Sequence, residues 1–359
     1  MKVMTPFPRL VVDGGALRYN TEQIVARCAS AGILVAGVTK GLCAREPVVR
    51  AMVEGGCPEL ADSRVANLAA LRAMGLGRPL LLLRIPMISE LPWVLDVADC
   101  SLVSMAETVR AMERGCAAAG TTHEVIVMID LGDLREGLWP DRTERVCEAL
   151  RACPRVRCRG VGANFGCFAG VLPTKKKLEE LLAVARTMEQ ALGYPLRTVS
   201  GGSTSSLVLL DRGEIPRGVN HLRIGEGILL GTDVTSSRVI PWLRQRTMYL
   251  EAEVVEVLRK PSVPVGDVGR DAFGGTPVFE DKGERLRAIV AVGRQDVRIE
   301  GLRPERDGVA VLGGSSDHLL LDVEDAVPAV SPGETLRFFP DYGAMLALST
   351  SPYVDFEMV

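Results

Sequence analysis

From Val11 to about Gly231, short apolar runs alternate with longer stretches whose apolar residues recur at helical spacing. That is the pattern of a parallel sheet with crossover helices. After an opening segment Arg9–Asp13 and a helix near Leu17–Ala31, the runs predict strands at Leu34–Val38, Glu59–Ala61, Leu80–Leu83, Cys100–Val103, Val125–Ile129, Arg159–Gly162, Arg197–Ser200 and His221–Ile224. Helical spacing between them falls at Val48–Glu54, Val65–Met74, Ala106–Ala119, Thr143–Ala152, Leu178–Leu192 and Ser205–Leu210. Eight strands in this alternation favour a closed (β/α)8 barrel over an open doubly wound sheet.

Beyond Thr232 the texture changes. Met248–Leu258, Ala288–Val292, Val309–Leu312, Leu319–Val323, Thr335–Phe339 and Met345–Leu348 are short runs separated by Gly, Pro and Asp, which read as strands. The expected architecture is therefore α/β: a (β/α)8 TIM-like barrel in residues 1–232, then a C-terminal all-β domain in residues 233–359. Lys260–Pro277 is too long for a hairpin turn and is a candidate lid.

Composition narrows the classes of function. With 359 residues, 47% hydrophobic and 24% charged, the chain has enough apolar surface to bury two cores. Its formal net charge of −3 supplies no general attraction to phosphate backbones, so nucleic acid is not an expected partner. No segment reaches the roughly 20 apolar residues of a membrane span, and Met1 to Leu10 lacks a long apolar core; a cytoplasmic protein is expected. The nine cysteines lie between Cys28 and Cys167 without a CxxC pair, and are read as reduced, mostly buried small hydrophobes.

In a barrel the strand-to-helix loops converge on one face, so reactive groups are sought where strands end. The first strand ends in Val38-Thr39-Lys40-Gly41, and the chain has only seven lysines. A lysine between apolar and small residues is partly desolvated, which lowers its pKa and makes it a usable amine for carbonyl chemistry; a lysine reaching solvent is the plainer alternative. The fifth strand runs into Asp130-Leu131-Gly132-Asp133-Leu134-Arg135-Glu136-Gly137, where an arginine could hold an anionic oxygen or simply close a salt-bridged loop. The sixth presents the amide of Asn164 and the thiol of Cys167, the latter read as incidental.

The seventh strand leads into Gly201-Gly202-Ser203-Thr204-Ser205-Ser206 and the eighth into Gly225-Glu226-Gly227. Small residues, hydroxyls and following helix starts make such loops a phosphate cup. A lysine and a phosphate cup on one rim ask for a phosphorylated aldehyde, pyridoxal 5'-phosphate.

These segments, with Ala61-Asp62-Ser63-Arg64, Val292-Gly293-Arg294-Gln295-Asp296 and Gly313-Gly314-Ser315-Ser316-Asp317-His318, resemble the alanine racemase superfamily of fold type III pyridoxal-phosphate enzymes, specifically its ornithine racemase branch. The resemblance covers nearly the whole chain. It implies an amino-acid racemase acting on ornithine or a similar basic amino acid by a two-base mechanism. It also implies a homodimer in which the β domain of one subunit completes the active site of the other.

Carried over by motif, Lys40 would bond the cofactor's aldehyde and act as one base, and Arg135 would contact the phenolic oxygen. Ser203, Thr204, Ser205 and the backbone around Gly225 and Glu226 would hold the phosphate, and Arg223 would face the pyridine nitrogen. Asn164, where alanine racemase has a histidine, joins the cofactor-binding set.

The second base departs from alanine racemase, whose tyrosine has no counterpart at Val292–Asp296. His318 and Asp317 are the candidates, with Tyr342 behind them, and Asp267, Asp271 or Asp317 could pair with a cationic substrate side chain. A metal is not expected: a lone His318 cannot supply the histidine and cysteine ligand pair of the aldolases and lyases of this fold. The alternatives are a racemase-like enzyme for another amino acid such as alanine, serine, lysine or arginine, one recruited to a different Cα reaction, and a non-catalytic pyridoxal-phosphate homeostasis protein.

Overall fold

The structure, a computed structural model, describes residues 7–276 and 278–359. Pro277, the last residue of the candidate lid, and the first six residues of the chain lie outside the described residues. Two compact units are present: residues 14–245, and residues up to Asp13 together with Arg246–Val359. The boundary thus falls later than the expected 232/233, and the opening segment belongs with the second unit.

That opening segment is β1 (Arg9–Val12), which pairs antiparallel with the later strand that starts at Met248 and parallel with the strand at Asp355–Met358. The barrel unit then begins with α1 (Gly14–Ser30) and alternates strictly: β2 (Leu34–Val38), α2 (Glu46–Glu54), β3 (Glu59–Asp62), α3 (Val65–Ala73), β4 (Leu80–Leu82), α4 (Leu91–Val97), β5 (Cys100–Val103), α5 (Ala106–Ala119), β6 (His123–Met128), α6 (Glu144–Ala152), β7 (Val156–Gly162), α7 (Lys175–Leu192), β8 (Thr198–Ser200), α8 (Leu207–Asp211), β9 (His221–Ile224) and α9 (Glu226–Leu230). Strands β2 to β9 pair in parallel and close on themselves, as the strand count predicts. Helix α4 had no counterpart in the sequence pattern: it is short, begins at Leu91-Pro92, and buries only Leu91, Val94 and Val97.

Strand alternation divides side chains between two environments. Outward-facing Leu60, Val103, Val125, Val127 and Val161 pack in one core with helix residues such as Leu68, Met112 and Leu181. The other set forms a separate apolar cluster, Ala36, Val38, Ala61, Leu81, Cys100, Leu102, Ile126 and Met128, within the barrel. Polar side chains fill the remaining sector: Glu59, Thr198, Ser200, His221 and Arg223 are buried, and Arg159 nearly so. Seven of the nine cysteines are buried, Cys43 is half-buried and Cys167 exposed.

A two-stranded ribbon, β10 (Thr232–Asp233) with β11 (Arg238–Val239), ends the barrel unit. The second unit is a sheet of β12 (Met248–Pro261), β13 (Glu284–Val290), β14 (Leu302–Pro304), β15 (Ala310–Gly314), β16 (Leu319–Asp322) and β17 (Thr335–Pro340), in the order β14-β17-β12-β13-β16-β15, with β1 and β18 (Asp355–Met358) attached through β12. It is not purely β. The run Met345–Leu348, expected as a strand, lies in helix α10 (Tyr342–Thr350). Asp341 starts it by accepting a hydrogen bond from the Ala344 N–H at 2.8 Å, and Ala344, Met345, Leu348 and Ser349 are its buried face, a helical spacing. Strand β12 also runs past Leu258 to Pro261, held by β13 down to Glu284. Among the described residues no helix is long and apolar enough to cross a membrane.

Closure between β7 and β8 depends on a missing side chain. Gly160 pairs with Thr198, and a Cβ there would lie 1.9 Å from the Thr198 carbonyl oxygen. Gly160→Ala is therefore expected to destabilise the barrel by about 1–3 kcal/mol or more, because backbone must move to make room. Urea unfolding measures it; an unchanged midpoint would contradict this reading of the β7/β8 contact.

Candidate functional site

Lys40 follows β2 directly, at the start of a short 3-10 turn, Lys40–Leu42. The preceding Thr39 anchors it: its N–H donates to the Ala61 carbonyl at 2.9 Å, and its hydroxyl donates to Asp62 Oδ2 at 2.7 Å. Asp62 is itself held by the Arg64 N–H and the Asn67 amide. Burial pulls the Lys40 amine below the ordinary lysine value; Arg135 pulls the same way, while Cys167, Asp62 and Glu136 oppose. A larger fraction of neutral amine at a given pH is what a nucleophile or base needs.

Arg135 and Glu136, in the loop after β6, form a two-pronged ion pair through Arg135 Nε and Nη2. Glu136 Oε1 also accepts from the Asn164 amide at 2.6 Å. Asn164 Oδ1 in turn accepts from Arg223 Nη2 at 2.7 Å, and the Ala163 carbonyl accepts from the same nitrogen at 2.7 Å. Arg223 Nη1 donates to Ser200 Oγ. The loops after β6 and β7 and the strands β8 and β9 are thereby tied into one polar line, Arg135–Glu136–Asn164–Arg223–Ser200. Arg223 is buried, and that burial brings its guanidinium down to about 10, which leaves it protonated at neutral pH.

The loop after β7 is fixed from below. Asp133 is buried and accepts from the backbone N–H groups of Cys167, Phe168 and Val171 at 3.0, 3.0 and 3.2 Å. This places Cys167 close enough to Lys40, Arg135 and Arg223 to act on all three electrostatically.

After β8 the chain turns through Gly202, whose φ of +110° suits glycine, and where a Cβ would meet Ser206 Oγ at 2.6 Å and the Phe165 ring at 3.0 Å. Ser203 and Ser205 hydroxyls stand 3.3 Å apart. Thr204 Oγ1 accepts from the Gly227 N–H at 3.1 Å, joining this loop to the start of α9. The Glu226 carboxylate is turned elsewhere: Oε1 accepts from the Thr232 hydroxyl at 2.7 Å and the Val234 N–H at 2.9 Å. The donor set therefore suits an anion, since hydroxyls line the loop and its one nearby carboxylate is engaged with the β10 ribbon.

The barrel unit brings Lys40, Arg135, Asn164, Ser203, Thr204, Ser205, Arg223, Gly225 and Glu226 onto the ends of β2, β6, β7, β8 and β9. Asp317 and His318 belong to the other unit, in the turn between β15 and β16. Both are exposed, with His318 Nδ1 3.4 Å from Asp317 Oδ1. That turn is bonded to the segment at Gly293–Asp296: Arg294 N–H donates to Ser315 O and Gln295 N–H to Ser316 O, each at 2.9 Å. Tyr342 opens α10. In the loop following β12, Asp271 Oδ1 accepts from the Phe273 and Gly275 N–H groups, and the Phe273 ring lies under the Arg294 guanidinium at 5.3 Å. Sequence reasoning missed Glu136, Asp133 and Ser200; the dense charge after β6 was the available signal for the first two.

The site combines a parallel barrel, a lysine of lowered pKa at the end of β2 and a loop lined with hydroxyls after β8. Residues 12–233 match the family described as alanine racemase, N-terminal domain. The chain is 40% identical over 349 residues to a lysine racemase of Thermotoga maritima, covering 97% of this chain and 98% of that one. It is 37% identical over 355 residues to an ornithine racemase of Acetoanaerobium sticklandii, covering 98% and 100%. Among solved structures, an alanine racemase from Streptomyces lavendulae superposes with a TM-score of 0.77 at 18% identity, over 99% of this chain and 98% of that one. A D-threonine aldolase from Filomicrobium marinum superposes with a TM-score of 0.73 at 19% identity, over 95% and 88%. The chain belongs to the alanine racemase family.

The buried Glu59 makes a pH-dependent contribution to this unit. Burial pushes its carboxyl up, but hydrogen bonds from His221 and Arg159 and the charge of Arg159 outweigh this and bring it from 4.5 down to about 2. A carboxyl depressed on folding stabilises fully above its unfolded value and loses that contribution as pH falls through its folded one. The stability gap between wild type and Glu59→Gln, measured by urea unfolding, is expected to hold at pH 7 and to shrink between 4.5 and about 2. A gap that widens on acidification would contradict it.

Proposed function

We propose that this protein is a pyridoxal-phosphate-dependent racemase of basic amino acids, with lysine or ornithine as substrate. The observation that carries the reading is 40% and 37% identity, over nearly the full length, to two relatives named for those activities, supported by the lowered pKa of the Lys40 amine at the end of β2. When bound, the cofactor supplies an aldehyde that takes the amino group and a conjugated ring that weakens the Cα–H bond.

The chain's residues do the rest. Ser203, Thr204, Ser205 and the backbone at Gly225 and Glu226 hold the phosphate, and Arg135 meets the phenolic oxygen. Arg223 would face the pyridine nitrogen, still protonated at neutral pH, so it would give up no proton there and would leave proton transfer to bases at Cα. Lys40 Nζ takes or returns the proton on one face.

The second base is assigned to His318 or Asp317 of a partner subunit in a homodimer whose β unit (from about residue 233 on) completes the site. Support comes from the hydrogen bonding of their turn to Gly293–Asp296, the segment comparable to alanine racemase's tyrosine segment. Exposed Leu134, Trp139, Phe168 and Leu172 on the loops after β6 and β7 are apolar surface that a partner would cover. Asp267, Asp271 or Asp317 would receive the substrate's terminal ammonium.

The test is incubation of the reconstituted protein in deuterium oxide with single enantiomers of lysine, ornithine, arginine, alanine and serine, following Cα labelling and optical inversion together. Labelling with inversion is expected for lysine or ornithine, and loss by at least about 1,000-fold in Lys40→Ala, the scale of removing an acting base with its covalent role. Cofactor binding without exchange on any of them would sink the proposal in favour of a non-catalytic carrier.

A further inference from the structure

The polar sector inside the barrel calls for a physical reason. Filling it as the rest of the interior is filled, with aliphatic side chains, would avoid the cost of burying a carboxylate and two guanidiniums. Yet β3, β7, β8 and β9 carry Glu59, Arg159, Ser200, His221 and Arg223 on their inner faces, all in one connected line. His221 Nε2 lies 2.7 Å from Glu59 Oε2, Ser200 Oγ lies 2.7 Å from His221 Nδ1, and Arg223 Nη1 donates to Ser200 Oγ. Arg159 Nη1 holds the other Glu59 oxygen at 2.7 Å.

We infer that Glu59, His221 and Ser200 form a one-way hydrogen-bond chain that orients the Arg223 guanidinium at the barrel mouth, and so are positioning residues for the reaction proposed above, on which this inference rests. The direction follows from the donors and acceptors. An ionised Glu59 can only accept, so His221 must carry its proton on Nε2. Burial holds His221 below its ordinary value and hence neutral, so Nδ1 is a bare acceptor. Ser200 must then spend its single O–H on Nδ1, which turns its lone pairs toward Arg223 Nη1. Each proton is fixed by the group before it.

The three acceptors that hold Arg223 are thus Ser200 Oγ, Ala163 O and Asn164 Oδ1, all of them neutral. Two carboxylates reach it by hydrogen bonding only through intermediaries, Glu59 through His221 and Ser200, and Glu136 through Asn164, while their charge also acts on it through space. Among the described residues no carboxylate pairs directly with the guanidinium, which is aimed by neutral acceptors. Its charge therefore stays available to whatever sits in front of it.

Glu59→Gln is nearly isosteric but breaks the direction. A glutamine has one accepting end, which cannot serve both Arg159 and His221; its amide then donates to Nε2, the imidazole proton moves to Nδ1, and Ser200 Oγ becomes the acceptor of both Nδ1–H and Arg223 Nη1–H, its own O–H displaced from Nδ1. Ser200→Ala removes only the last link and leaves Glu59, His221 and Arg159 paired.

The test uses the full chain carrying pyridoxal phosphate, labelled with 15N-histidine. With only three histidines, the Phe variant of His221 assigns its signal. Wild type is expected to show a neutral His221 protonated on Nε2, Glu59→Gln a shift to Nδ1, and Ser200→Ala the wild-type tautomer. In both of the last two, kcat is expected to fall about tenfold, the worth of one hydrogen bond in a buried site, with KM changed less than about twofold and a shifted cofactor absorbance.

A wild-type His221 protonated on Nδ1, or on both nitrogens, overturns the chain. So do kcat and absorbance that stay unaltered in a folded Ser200→Ala, which remains informative even where Glu59→Gln does not fold. A protein that binds no cofactor and racemises nothing refutes the functional reading instead, and the tautomer of His221 still decides the direction of the chain.

Discussion

The pairing of β2 with β9 is the contact on which the site depends. Leu34 meets His221, Ala36 meets Arg223 and Gly37 meets Ile224, and this register closes a sheet whose two edge strands are nearly two hundred residues apart in sequence. Closure leaves no exposed strand edge in the barrel. It also brings the end of β2, with Lys40, beside the end of β9, with Arg223 and the Gly225 loop. Shifting this register by one residue would turn Arg223 outward into the helix layer and Leu222 inward, and amine and cation would no longer share a rim.

Much of the fold could be read from the chain because a parallel barrel repeats one simple unit. Buried strands are short apolar runs and crossover helices carry apolar residues at helical spacing, so all eight barrel strands are predicted within a few residues of their observed limits. Where the pattern is ambiguous, reading fails. Met345–Leu348 is too short for periodicity to separate strand from helix, and the capping contact of Asp341 decides it. Helix α4 is brief and starts at a proline, and β1 lies in a unit whose other strands come more than two hundred residues later, a pairing no local pattern announces.

The site divides in the same way. Groups at strand ends, Lys40, Arg135, Asn164, the Ser203–Ser205 hydroxyls and Arg223, are visible because barrel geometry sends every such end to one face. Their connections are not. Glu136 bridging Arg135 to Asn164, Asp133 pinning the Cys167 loop, and Glu59 reaching Arg223 through His221 and Ser200 are products of register between distant strands. Glu59 and His221 each open a strand, the end away from the rim, where a search for chemistry does not look.

Among the described lysines, Lys40 is proposed as the one that bonds the carbonyl, because burial at the end of β2 lowers its pKa. The most direct test is to load the protein with pyridoxal phosphate, reduce with borohydride and map the modified peptide by mass spectrometry. The account predicts stoichiometric label on Lys40 and none on Lys175, Lys176, Lys177, Lys260 or Lys282. Label spread over those five lysines, with Lys40 unmodified, would contradict it.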